Sequence, residues 1–168
     1  MNRWLRILKH RWLDEGDAQR ALGDAGLERL REGVAASELS HSGEIRICVE
    51  AGLPLSYLWR GATARERAVT QFGKLRVWDT EHNNGVLIYL LLAEHCIEIV
   101  AVRGLSRRVS AAQWHAITRG MSEAFRAGRF EDGLSAAVDA VTAELVQHFP
   151  LAAGERNPNE LPDTPVLR

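Results

Sequence analysis

Six polar residues in a row, Asp79-Thr80-Glu81-His82-Asn83-Asn84, stand just before an apolar run over 86–92 that reads as a strand. The Asp79 carboxylate and the Asn83 and Asn84 amides offer the oxygen ligands that a hard cation takes. Arg103, just past the next strand, presents a forked donor suited to a phosphate or carboxylate. Gly85 and Gly104 leave room for backbone to approach a ligand. The candidate ligand-binding residues are therefore Asp79, Asn83, Asn84, Arg103 and Gly104, with Asp79, Asn83 and Asn84 as the metal-donor subset. A purely structural reading covers the same residues: Asn-Asn-Gly is turn chemistry, and Arg103 pairs with Asp79.

The other reactive groups are more scattered. Glu94 and His95 could exchange protons, but no nucleophile stands beside them and the pair reads as a turn. Cys48 and Cys96 lie in apolar runs and read as buried free thiols. A cysteine phosphatase places an arginine six positions after its nucleophile; here those positions hold Pro54 and Val102. His10, His41, His82, His115 and His148 show no metal spacing, and no Asp-x-Asp pair supports an aspartyl-phosphate route. The GxSxG, HExxH, GxxxxGK[ST] and GxGxxG patterns are all missing from the chain.

Several elements must position these groups. MNRWLRILKHRWL is amphipathic, with Trp4, Leu5, Leu8 and Trp12 on one helical face and Arg3, Arg6, Lys9 and Arg11 around the rest. Such a helix either docks on a membrane surface or partner, or packs on its own core with its cations solvated. A second helix is expected over 17–40, punctuated by Gly16 and Gly43. EIRICVEA alternates, with Ile45, Ile47 and Val49 on one face, and reads as a first strand. GLPLSYLWRG reads as irregular around Pro54, and 62–75 as helix. Residues 86–92 are apolar on both faces and form a central strand covered on each side. After a tight turn, 96–101 return as a third strand in a hairpin with the second. Ser110 caps a helix that ends at Gly128. A last helix runs over 130–149 with Leu134, Val138, Val141 and Leu145 as its stripe.

The expected architecture is one α/β domain over 1–149, a small mixed sheet of three to four strands sandwiched between helices. A Pro-rich flexible tail is expected over 150–168. The first two strands are parallel, joined by a right-handed crossover; the second and third are antiparallel. This topology gathers 79–84 with Arg103, Gly104 and Ser106 at one end of the sheet. Glu50, Glu94 and His95 fall at the other, about 20 Å away at strand rise.

The bulk properties narrow the partner classes. The chain has 168 residues, 46% hydrophobic and 26% charged, with a net charge of -1. Such a balance suits a globular domain and supplies no field for nucleic acid. Its longest apolar run, VLIYLLLA, is far shorter than the roughly 20 residues of a spanning helix. An integral membrane protein is therefore not expected. Charges interrupt the basic N-terminus before the apolar stretch of a secretion signal can form. The expected location is the cytoplasm, with membrane association as the alternative.

NNGVLIYLLLAEHCIEIVAVRGLS, followed by a helix and FRAGRFEDGLSAAVDAV, resembles the TPM domain family in its short soluble bacterial form. The resemblance covers roughly residues 43–149. It implies an α/β sandwich, a link to acid-phosphatase activity, and Ca²⁺ binding in some members. Some bacterial relatives are encoded beside LemA-type membrane proteins, which implies a membrane-associated partner. The chain departs from the family pattern in four places. Glu94-His95 stands for Asp-Arg, Val100 for Glu, Ser106 for the Glu of Gly-Leu-Glu, and Arg129 for a frequent Asp. Ser106 and Arg129 are expected to remove carboxylates near Asn83 and Asn84. A Ca²⁺ site wants about six to eight oxygen ligands, so binding is expected to weaken, and Arg103 and Arg129 favour an anion instead. Two functions follow as expectations. One is a non-enzymatic binding or scaffold module. The alternative is a metal-assisted, phosphatase-like hydrolase of phosphomonoesters, in which Asp79, Asn83 and Asn84 hold the metal and Arg103 grips the phosphoryl group.

Overall fold

Alternation with a period of two builds the sheet. The computed structural model describes residues 3–168. Its strands β1 (Glu44–Glu50), β2 (Gly85–Leu91) and β3 (Cys96–Ala101) lie in the order β3-β2-β1, followed by the two-residue β4 (Val166–Leu167). β1 and β2 are parallel, with Glu44 opposite Gly85 and Glu50 opposite Leu91; β2 and β3 are antiparallel. Ile45, Ile47, Val49, Val86, Ile88 and Leu90 point to one face, and Cys48, Leu87, Tyr89 and Leu91 to the other. Every residue of β1 and β2 is buried, so both faces must be covered.

Helices cover both. α2 (Glu15–Ser37), α6 (Ala111–Arg126) and α7 (Phe130–His148) pack on the first face through Leu30, Val34, Phe125, Leu134, Val141 and Leu145. α3 (Leu55–Trp59) and α4 (Ala64–Lys74) close the second through Leu58, Ala64 and Ala68. A short helix, α5 (Arg103–Ser106), follows β3. The fold is thus a mixed four-stranded sheet between helical layers, and among the described residues no helix is long and apolar enough to cross a membrane.

Three elements differ from the sequence reading. α2 starts at Glu15 because Asp14 and Asp17 close a reciprocal capping box ahead of it, and it breaks at Gly23, whose φ is 69°. α3 forms because Pro54 sits at its cap, where its missing N–H costs nothing. The tail is held rather than loose. Arg46 donates to the carbonyls of Pro162 and Thr164, Leu161 N–H donates to Glu44, and Arg168 exchanges backbone bonds with Val49 and Ala51. These bonds cap the outer edge of β1, which would otherwise offer unpaired backbone groups.

α1 (Arg3–Arg11) is oriented against the usual rule. Its polar side faces the body: His10 is buried, and Arg6 is half-buried. Trp4, Leu5, Leu8 and Trp12 face solvent. Packing on its own core, one of the two readings of this helix, is left to Ile7.

Candidate functional site

The residues around the start of β2 form one end of the sheet. Asn83 adopts φ 51°, a left-handed conformation that asparagine tolerates, and its N–H donates to Thr80 O. Val102 N–H donates to Gly85 O at 3.1 Å, which returns the chain beside Asn83. Gly104 then approaches so closely that a Cβ there would lie 2.2 Å from Asn83 O; at Gly85 a Cβ would lie 2.0 Å from Val77 O. The sequence suggests that both glycines admit a ligand. In the fold, each makes room for the protein's own backbone.

Of the predicted residues, Asn83, Arg103 and Gly104 come together. With Arg107 and Arg108 they line a hollow of about 400 Å³. Arg108 is tied down: it donates to His148 O at 2.7 Å and lies 4.8 Å over the Phe149 ring. The exposed Arg103 and Arg107 make no side-chain hydrogen bond or ion pair among the described residues. The expected Arg103–Asp79 pair does not form. Sequence reasoning missed Arg107 and Arg108, although RGLSRR announces three cations on one short turn.

The other two candidates go elsewhere. Asn84 is fully buried, and its amide donates to Ser42 O at 2.7 Å, fastening the start of β2 to the segment before β1. Its Oδ1 is buried without a partner. Asp79 is exposed, with its backbone N–H on Arg76 O. The donor set for Ca²⁺ is therefore one buried amide oxygen, one exposed carboxylate, and one exposed amide, Asn83, that shares its hollow with three arginines. Among the described residues no group of three or more His, Cys, Asp or Glu side chains is placed to hold a metal ion. These residues do not fit a Ca²⁺ site.

Deeper under the same end, beside β1 and the tail, lie buried acids. Glu38 accepts from Ile45 N–H and Glu44 from Leu161 N–H, while Glu38 Oε2, Glu44 Oε1 and Asp163 Oδ1 have no partner. Burial, with Glu44 and Asp163 nearby, pushes the Glu38 carboxyl up to about 8, and burial raises Glu44 as well.

The opposite end is built from closed networks. Arg67 grips Glu50 through Nε at 2.9 Å and Nη2 at 2.5 Å, and Tyr89 OH donates to the same carboxylate at 2.6 Å. Glu94 receives Arg6 at 2.7 Å and His10 at 3.1 Å. These donors, His10 first, hold the Glu94 carboxyl below its ordinary range. A cleft of about 620 Å³ opens beside it, lined by His95, Cys96, His115, Arg119 and Arg126 among others. Its thiol is not activated: burial pushes Cys96 up to about 11. Arg129, expected near Asn83, belongs here instead. It pairs with Asp132, and its neighbour Phe130 lies edge-on to His95 at 5.2 Å.

Comparison with known proteins agrees with this fold. A family model, the TPM domain, matches residues 16–144. The NMR structure of BA42 from the psychrophilic bacterium Bizionia argentinensis is similar at 25% identity and a TM-score of 0.74, over 86% of this chain and 94% of that one. The solution structure of the N-terminal domain of a P. gingivalis protein shares the fold at 21% identity and a TM-score of 0.63, over 81% and 90% of the two chains. No curated protein matches significantly.

Proposed function

Since the chain belongs to the TPM domain family, we propose that it works as a non-enzymatic binding module that seats a phosphate or carboxylate group of a partner in the arginine-lined hollow. The observation that carries this reading is that Arg103 and Arg107, both unpaired among the described residues, join Arg108 around one concavity with no carboxylate in its lining. Cations without counter-charges create a positive field, and guanidinium forks match oxyanion geometry. Catalysis has less support: no nucleophile or general base lines the hollow, and the candidate metal donors are dispersed. The partner that this proposal inherits from the family resemblance is a membrane-associated protein.

The test is thermal unfolding with phosphate, Ca²⁺, Mg²⁺ and Mn²⁺ added separately, beside turnover of a generic phosphomonoester. Phosphate at 100 times its dissociation constant should stabilise the fold by about 2.7 kcal/mol, raising Tm by about 5–10 °C. The double change Arg103→Gln and Arg107→Gln should remove that shift, and no metal ion should produce one. Metal-dependent turnover that is lost in Asp79→Ala with Asn83→Ala would instead establish the hydrolase.

A further inference from the structure

Six of the ten large hydrophobic side chains exposed among the described residues sit on α1, α3 and the residue after α1: Trp4, Leu5, Leu8, Trp12, Leu55 and Trp59. Their exposures run from 51% at Leu55 to 84% at Trp12. On α1 they form one stripe, since positions 4, 8, 12 and 5 fall within about 100° of each other at 3.6 residues per turn. Lys9 and Arg11 flank that stripe, exposed and without ion-pair partners among the described residues. α1 contains no acidic residue, while the whole chain carries a net charge of -1. Positive charge is therefore concentrated on this apolar face.

The orientation is fixed from beneath. The buried His10 ring accepts from Leu53 N–H at 2.9 Å and meets Glu94 on its other nitrogen. Arg6 adds Ala62 O to its bond with Glu94. Arg3 reaches Trp59 O at 2.7 Å and lies 4.7 Å over its ring, and Trp4 meets the same ring edge-on at 6.5 Å. A Cβ at Gly52 would lie 2.6 Å from His10 O, so the helix end sits tight on the body. A surface helix normally turns its apolar stripe to the core. Here a polar network takes the core side and locks the apolar stripe outward.

We propose that α1 and α3 form a docking face that seats this protein on the surface of an anionic lipid bilayer. Indoles favour the headgroup depth, where an apolar ring and a polar N–H are both satisfied. Leucines between them enter the acyl boundary, and flanking cations meet anionic headgroups. The charge argues against a second copy as occupant, because pairing the face with itself would set Lys9 and Arg11 against like charges. The inference is independent of the arginine hollow, which lies at the other end of β2.

The test is co-sedimentation of the full chain with phosphatidylcholine vesicles, with and without one-quarter phosphatidylglycerol, at physiological salt. Binding should require the anionic lipid. It should fall at least tenfold in Leu8→Asn with Trp12→Ser, and at least tenfold in Lys9→Glu with Arg11→Glu. Both pairs are exposed, so melting curves should match the parent. Failure to sediment with anionic vesicles would overturn the proposal, as would binding that the first pair leaves unchanged or that is equal on neutral vesicles. A dimer on gel filtration that the first pair dissolves would also overturn it, giving the face to a second copy or protein partner.

Discussion

At one end of the sheet Arg103 and Arg107 stand in solvent with no carboxylate to meet them among the described residues; at the other, Arg6 and Arg67 are spoken for by Glu94 and Glu50. The residue type is the same and the outcome opposite. The difference is set by what the fold buries beside each guanidinium. Glu50 is 3% exposed, and a buried carboxyl group is costly unless it is hydrogen-bonded, so Arg67 and Tyr89 close on it. No carboxylate lines the hollow around Arg103, and the buried Glu38 and Glu44 accept from backbone N–H groups instead. Among the described residues the near end therefore leaves Arg103 and Arg107 unpaired, while the far end closes Arg6 and Arg67 on acids and turns apolar surface, flanked by Lys9 and Arg11, outward. Function follows from the groups that each end leaves free.

The largest effect should come from opening the far network. Arg67→Met removes the partner of a buried carboxylate and should cost about 3–5 kcal/mol, lowering Tm by about 10 °C. Denaturant unfolding of parent and variant measures this directly. A cost below about 1 kcal/mol, the range of exposed ion pairs, would mean the far end is not built on buried charge, and the contrast between the ends would collapse.

A smaller, pH-dependent effect belongs to Glu38, under the near end. Its folded-state value of about 8 lies above the ordinary 4.5, so the folded protein keeps a proton that the unfolded chain releases. Stability should therefore fall as pH rises from about 4.5 to 8, by on the order of 3 kcal/mol at pH 7. Glu38→Gln removes the charge and should flatten the profile, becoming more stable than the parent at pH 8. Unfolding midpoints at pH 5 and pH 8 decide it; equal differences at both would show that Glu38 is not the titrating group.

Much of the sheet is legible in the sequence because period-two patterns and the all-apolar second strand leave one packing solution. The third strand, 96–101, reads at its observed bounds, and the parallel and antiparallel pairings follow. The site is legible only where chain reversal alone brings residues together, as with Asn83, Arg103 and Gly104. Asn84 reads as a ligand because burial is decided by the packing of other elements, here the Ser42 carbonyl that its amide reaches. The tail reads as loose because composition counts apolar area, whereas Arg46 and the β1 edge hold it by hydrogen bonds. The inverted face of α1 has no local signal at all. The stripe is plain, but its direction depends on Glu94, some 84 positions away in sequence from His10.

The smallest expected effect is also the sharpest for the near end. Arg103→Gln with Arg107→Gln should change stability by no more than about 0.5 kcal/mol, because exposed side chains without partners contribute little to folding. Arg108 serves as the internal contrast, since Arg108→Gln gives up the His148 carbonyl and the Phe149 stack. Denaturation without added ligand measures all three positions under one condition. A neutral double variant that has also lost its phosphate response would separate binding from folding at these two residues. If the double variant loses more than about 1 kcal/mol, the two arginines hold the α5 turn in place, and the near end uses its charge internally just as the far end does.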